Sequence, residues 1–283
     1  MRSRCLLCRV RLSEREHIGA MKKIFLTGVS SGIGLATAKG LLARGDEVWG
    51  TSRDVARIPQ IARLHPLALD LSDAPSIRRC FESALAQAGR FDAVINNAGS
   101  GHFGPAESIL PADLTNYFQV LFFAQIELMR LAIESMRDQE RGLIINVSSL
   151  ASRLPVPFMA AYNAAKAALA SYTMTMQLES PKRNLRFVDL QPGDIKTNFN
   201  DAAMRTSMDN PRVAEAWQTV DRNMEAAPQP ELVARRILKI IDREDPPPRV
   251  TVGDFFQSAV APLIFRLLPQ RIQLWGLRKY YGI

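Results

Sequence analysis

Between residues 22 and 252 the chain alternates short apolar, β-branched runs with longer stretches of helical periodicity. The runs at 22–27, 46–51, 66–69, 92–96, 142–147, 185–190 and 249–252 predict seven strands. Segments at about 32–44, 74–88, 112–137, 160–180 and 230–243 predict helices between most of them. Such alternation implies βαβ units and so a parallel sheet flanked by helices. Stretches such as Asp92-Ala-Val-Ile-Asn and Leu143-Ile-Ile-Asn-Val are almost continuously apolar, as strands buried on both faces must be. The expected fold class is α/β, a Rossmann-type doubly wound parallel sheet of about seven strands with helices on both faces. The stretch 198–228, rich in Asn, Asp, Met and Ala, is the least regular.

Both ends of the chain depart from this pattern. Residues 1–20 show no clear periodicity, and Met21 opens the first strand as a start codon would. They are expected to be a poorly packed extension or the product of a wrongly chosen start. Residues 21–253 form the predicted domain. Residues 254–283 form an apolar and basic tail, Phe255–Leu268 being interrupted by Pro262, expected to pack on or near the substrate pocket. Contact of this tail with a membrane surface is the weaker alternative.

Charge and cysteine usage narrow the classes further. The formal net charge is +8. Arg2, Arg4, Arg9, Arg11 and Arg15 outweigh Glu14 and Glu16 at one end, and Arg266, Arg271, Arg278 and Lys279 stand without acids at the other. Excess charge confined to two tails, with no nucleic-acid module beside it, argues against a nucleic-acid partner. Charges or prolines break every apolar stretch before the roughly 18–20 residues that cross a bilayer, so no spanning helix is predicted. Cys5, Cys8 and Cys80 are too few for a disulfide framework, which favours a reducing, cytoplasmic setting. Cys5 and Cys8 lack a second pair, and His17 and His65 lack partners, so no metal site is expected.

The chemistry starts at Thr27-Gly-Val-Ser-Ser-Gly-Ile-Gly34, between the first strand and the first helix. Gly28, Gly32 and Gly34, with Ser30, Ser31 and Ile33 between them, allow a tight turn that brings a pyrophosphate against a helix N-terminus. The second strand ends at Ser52 and Arg53. No acid stands there to bond a ribose 2′-hydroxyl, and Arg53 suits a 2′-phosphate, so NADP(H) is favoured over NAD(H), with Asp54 pulling slightly the other way. Tyr162-Asn-Ala-Ala-Lys166 places phenol and ammonium one turn apart on one helix face. An ammonium there and the positive nicotinamide ring both favour phenolate, which should draw the phenol below its free value of about 10 and make it a usable proton donor or acceptor.

Together with Asn96-Asn97-Ala98-Gly99 and Pro192-Gly193…Thr197, these motifs resemble the short-chain dehydrogenase/reductase family from Lys22 to about Thr197. The resemblance implies that Asp70 and Leu71 meet the adenine and that Asn97, Ala98 and Gly99 wall the cofactor. It also implies that Pro192, Gly193, Ile195 and Thr197 lie on the nicotinamide side. Ser149, favoured over Ser148 by spacing, would bond the substrate oxygen, Tyr162 would move the proton, and Lys166 would also hold the nicotinamide ribose. The implied activity interconverts a carbonyl and an alcohol on a small, hydrophobic substrate. A homo-oligomer is implied as well, the helix through Tyr117–Met136 being apolar on more than one face.

One position departs from the family pattern: Leu121 stands where an asparagine usually completes the catalytic group. Asn116, five residues earlier, should point elsewhere. A slowed proton relay is expected, with Leu121→Asn raising turnover. Two competing readings are a cofactor-binding regulator with little turnover, encouraged by Leu121 alone, and a nucleotide-sugar epimerase or dehydratase, which would need a larger substrate domain. His102 is a weak candidate for a substrate contact.

Overall fold

The computed structural model describes residues 21–180, 184–201 and 203–283, so the expectations for residues 1–20, Cys5, Cys8 and His17 included, lie outside the described residues. The elements run β1 (Lys23–Thr27), α1 (Gly32–Ala43), β2 (Glu47–Ser52), β3 (Leu64–Ala68), α2 (Ala74–Ala88), β4 (Ala93–Asn96) and β5 (His102–Phe103). Next come α3 (Pro111–Phe118), α4 (Ala124–Met136), β6 (Gly142–Val147), α5 (Ala160–Glu179), β7 (Leu185–Pro192) and β8 (Met204–Arg205). The chain closes with α6 (Pro211–Ala226), α7 (Glu231–Asp242), β9 (Arg249–Val252), α8 (Ala261–Leu267) and α9 (Gln270–Tyr281).

Seven strands pair in parallel in the order β3-β2-β1-β4-β6-β7-β9. All six residues of β6 and all four of β4 are buried, which explains their unbroken apolar character. One face packs on α1 and α7 through Leu41, Val233 and Ile237. The other packs on α2, α4 and α5 through Phe81, Leu128 and Leu169. Strand order reverses beside β1: the chain steps out to β2 and β3, then returns to β4. The crevice beyond the carboxyl ends of β1 and β4 is therefore the switch point at which such sheets bind ligands.

Three departures from the periodicity bear on the site. The segment expected as one helix from 112 to 137 is split by a π-helical stretch, Gln119–Phe123. The Ala124 N–H donates to the Gln119 carbonyl in the i→i+5 pattern, and the side-chain Nε2 of Gln125 donates to the Val120 carbonyl at 3.0 Å. The irregular stretch 198–228 contains α6, started by Pro211 and by Asn210, whose side chain accepts from the Arg212 N–H at 3.0 Å. Its buried residues, Val213, Ala216, Trp217 and Val220, have helical spacing, but polar neighbours hide the stripe in the composition. The tail forms a second π-helical stretch, Phe256–Val260, followed by α8 and α9. Among the described residues no helix is long and apolar enough to cross a membrane.

Candidate active site

The glycine turn is built by exclusion of side chains. Gly28 has φ +76°, and a Cβ at Gly34 would lie 2.0 Å from the Gly28 carbonyl oxygen. The hydroxyl of Thr27 accepts from the backbone N–H groups of Asn97 and Ala98, both at 2.9 Å, while Asn97 Nδ2 donates to the Thr27 carbonyl at 2.8 Å. These bonds strap the end of β4 to the end of β1 and set Asn97-Ala98-Gly99 as one wall of the crevice. Ser31 caps α1 without a side-chain hydrogen bond, and no acid occupies the first turn. The N-terminal N–H groups are thus left for an anion, and the helix dipole favours one there.

A cavity of about 1070 Å³ opens from this turn. That is ample for a dinucleotide and a substrate together, since single small-ligand pockets usually fall below about 1,000 Å³. Gly28, Ser30, Ser31, Gly32, Ile33 and Gly34 line it, as do Arg53, Asp70 and Leu71 at the β2–β3 end. Asn97, Ala98, Gly99, Ser149, Tyr162, Lys166, Pro192, Gly193, Ile195 and Thr197 complete the set, so the sequence-predicted cofactor and catalytic residues all reach one cavity, the weaker candidate His102 excepted. Asp54 lines it too, but its carboxylate accepts from the Ala56 N–H at 3.0 Å and caps a short turn. Arg57, which the sequence analysis missed, adds a second cation beside Arg53. Asp70 accepts from the backbone N–H and the hydroxyl of Ser72, at 2.9 and 2.7 Å. These bonds, then the charge of Arg53, hold its carboxyl below the usual range. The glycine turn, the open helix N-terminus and the two wall arginines, Arg53 and Arg57, fit a phosphorylated dinucleotide.

Buried polar contacts set the register of α5. Asn96 Nδ2 donates to Asn146 Oδ1, and Asn146 Nδ2 to Thr173 Oγ1, both at 2.8 Å, linking β4 and β6 to the helix. Two turns back, Lys166 Nζ donates to the Val147 carbonyl at 2.8 Å and stands 5.8 Å from the centre of the Tyr162 ring. Ser148 and Ser149 are separated by their partners. Ser148 Oγ donates to the carboxylate of buried Asp189, which also accepts from Gln191 and Arg249 at 2.7 and 3.1 Å. Ser149 Oγ accepts from the Ala151 N–H at 3.0 Å and stands at the cavity wall within hydrogen-bonding reach of Tyr162.

The electrostatics differ from the sequence expectation for Tyr162. Burial pushes the phenol up to about 12, opposed by hydrogen bonding with Ser149. The same burial pulls the Lys166 ammonium down to about 8, opposed by Asp189. Desolvation is the largest cause of both shifts, and the protein by itself holds Tyr162 protonated at neutral pH.

Leu121 is fully buried and packs with Tyr117, Ala165 and Tyr162. It is absent from the cavity wall, where Asn116 and Val120 stand instead. Leu121 lies within the π-helical stretch Gln119–Phe123, where the register departs from that of an α-helix, so α-helical spacing from Asn116 does not place it. His102 is buried in β5, away from the wall, with Nε2 3.4 Å from Thr206 Oγ1; desolvation lowers its pKa. Unanticipated wall residues include Asp194, Gln257, Tyr280 and Tyr281. From α8 and α9 come Ile264, Phe265, Leu268, Ile272, Trp275 and Leu277, whose only sequence signal was the apolar spacing of the tail.

A glycine cradle at the switch point, with a tyrosine–lysine pair in the same cavity, defines the class: a nucleotide-binding oxidoreductase of Rossmann architecture. The chain belongs to the short-chain dehydrogenase family, whose model, described as "short chain dehydrogenase", matches residues 22–207. It is 30% identical over 266 residues to a 3-ketodihydrosphingosine reductase of Bacteroides thetaiotaomicron, covering 92% of this chain and 98% of that protein. It is 29% identical to an NADPH-dependent 1-acyldihydroxyacetone phosphate reductase of Schizosaccharomyces pombe, covering 76% and 80%. A short-chain dehydrogenase from Streptomyces avermitilis superposes with a TM-score of 0.80 at 29% identity, covering 92% of this chain and 97% of the other.

Proposed function

We propose that the protein is an NADP(H)-dependent oxidoreductase that interconverts a carbonyl and an alcohol on a hydrophobic substrate. The observation that carries this reading is the meeting of Ser149, Tyr162 and Lys166 with the glycine cradle in one cavity, with the phenol held protonated. Arg53 and Arg57 support the 2′-phosphate preference, as does the name of the NADPH-dependent relative. The apolar wall from α8 and α9 supports a lipid-like substrate, and two similar proteins are named for long-chain or acylated ketones.

When bound, the nicotinamide supplies the hydride. The Ser149 hydroxyl donates to the substrate oxygen and steadies charge developing there. Tyr162 gives its proton to that oxygen in reduction and takes it back in oxidation. Lys166, anchored on the Val147 carbonyl, holds the nicotinamide ribose with its remaining N–H groups and favours the phenolate left after transfer. Asn97, Ala98 and Gly99 wall the nucleotide, with Asp70 and Leu71 at the adenine and Pro192, Gly193, Ile195 and Thr197 at the nicotinamide. Phe123, at the end of the π-helical stretch, and Tyr172, Met174 and Leu178 of α5 are exposed, which supports pairing with a second copy. A regulator without turnover gains nothing from Leu121, since that residue does not face the cavity. The test is loss of nicotinamide absorbance with NADPH and a panel of aliphatic ketones. Tight NADPH binding without turnover of any ketone would favour the regulator.

A further inference from the structure

We propose that α8 and α9, with the π-helical stretch before them, dock on an anionic bilayer surface, so that the mouth of the cavity faces the lipid. The proposal stands apart from the reductase reading and is tested by binding alone.

The C-terminal tail has an inner and an outer face, and the inner one is fixed to the rest of the molecule. At its start the Asp194 N–H donates to Gln257 Oε1 at 2.9 Å. Between the helices Gln273 Nε2 donates to the carbonyls of Phe265 and Leu268, at 2.7 and 2.8 Å. At its end Tyr281 is buried in one cluster with Trp217 and Val220 of α6, and the Tyr280 hydroxyl accepts from Asn223 Nδ2 at 3.1 Å. These contacts hold the tail in place while leaving its outer face uncovered. Leu263 and Leu267 lie one turn apart on α8 and are 61% and 74% exposed, with Phe255 before them at 79% and Trp275 of α9 at 63%. Large apolar side chains gathered in this way mark an interaction surface.

Charge decides the partner. Residues 255–283 carry Arg266, Arg271, Arg278 and Lys279 and no acidic side chain, and all four cations are exposed. Arg271 and Arg278 stand within a turn of Leu274 and Trp275 and share their side of α9. Lys279 Nζ lies 5.4 Å from the centre of the Trp275 ring. A two-fold pairing of this face with a second copy would set these cations against their own kind. Apolar side chains ringed by cations, with a tryptophan among them, match instead the headgroup region of an anionic leaflet. Each lysine or arginine near such a surface strengthens binding by about fivefold. The cavity opens on the same face, because Phe256, Ile264, Ile272 and Trp275 line it and are exposed as well. An apolar molecule held in the leaflet thus reaches the cavity wall without passing through water.

The experiment uses the full chain and vesicles of phosphatidylcholine, alone or mixed equally with phosphatidylglycerol. Partition onto the mixed vesicles should be at least about tenfold stronger, and high salt should weaken it. Of the three tryptophans Trp49 and Trp217 are buried, so quenching by brominated phosphatidylcholine in the mixed vesicles reports on Trp275, and quenching is expected. Two double variants, both off the cavity wall, separate charge from apolar contact. Arg271→Glu with Arg278→Glu, and Leu263→Ser with Leu267→Ser, should each lower partition by at least about tenfold. Equal partition onto both vesicles, or none, would overturn the proposal. Binding that survives both double variants would assign it to another basic segment and reject this one. Binding without quenching of Trp275 would turn the mouth away from the lipid and contradict the docking geometry. A higher oligomer that dissociates in Leu263→Ser with Leu267→Ser, without vesicle binding by the wild type, would make this face a contact between copies instead.

Discussion

Replacement of Leu121 by asparagine separates the structure from the residue pattern, because the two give opposite expectations. The pattern expects a restored relay and faster turnover. In the structure, Leu121 is fully buried among Tyr117, Ala165 and Tyr162, behind the cavity wall at Gly99 rather than on it. Removing a buried leucine side chain costs about 2–3 kcal/mol in transfer and packing. Burying an amide with incomplete hydrogen bonding adds about 1–3 kcal/mol. For a domain of this size, each kcal/mol lowers Tm by about 2–4 °C, so a fall on the order of 10 °C is expected. Leu121→Met, which conserves volume, should cost less than about 1.5 kcal/mol and serves as the control. Thermal unfolding with and without NADPH, together with kcat measured well below both midpoints, decides the matter. The account predicts a lower Tm without gain in kcat. A variant with unchanged Tm and raised kcat would refute the burial argument and restore the relay expectation.

Arg53→Ala should reduce the preference for NADPH over NADH by about ten- to a hundredfold, through loss of a charge-assisted phosphate contact. An unchanged cofactor ratio in that variant would leave Arg57 as the selecting cation. Lys166 links stability to pH. Its ammonium is drawn from 10.5 down to about 8 by burial, so the unfolded chain binds the extra proton between those values. The cost of the buried charge is then full below pH 8 and is relieved as pH rises to 10.5. Lys166→Met should accordingly unfold at higher denaturant concentration than wild type at pH 7, by up to roughly 3 kcal/mol, with the advantage shrinking toward pH 10. An advantage independent of pH would contradict the assigned shift.

The strands and most helices were legible because burial on both faces leaves runs such as Ala93–Asn96 and Gly142–Val147 with almost no polar choice. The glycine turn was legible for a similar reason, since backbone at Gly34 approaches backbone at Gly28 too closely for any side chain. What stayed hidden depends on contacts between distant segments. Nothing local in Pro192-Gly-Asp-Ile announces that Gln257, sixty-three residues on, will clasp Asp194. The π-helical stretch at Gln119–Phe123 carries no residue signature, yet it sets the register of Leu121, which stands behind the wall while Asn116 and Val120 line it. The upward push of burial on the Tyr162 phenol was not legible because desolvation is a property of the assembled cavity, whereas the neighbouring lysine is visible in the sequence.

The central claim, that Tyr162 transfers the proton in an NADPH-dependent carbonyl reduction, is tested most directly by Tyr162→Phe. The substitution deletes one oxygen and leaves the ring packed against Phe199, whose centre is 5.6 Å away. NADPH affinity, measured by fluorescence titration, should stay within about twofold, while kcat for a reducible ketone falls by about 10² to 10⁴. Retention of most of the turnover with intact NADPH binding would contradict the account, and the proton would have to come from another group on the cavity wall.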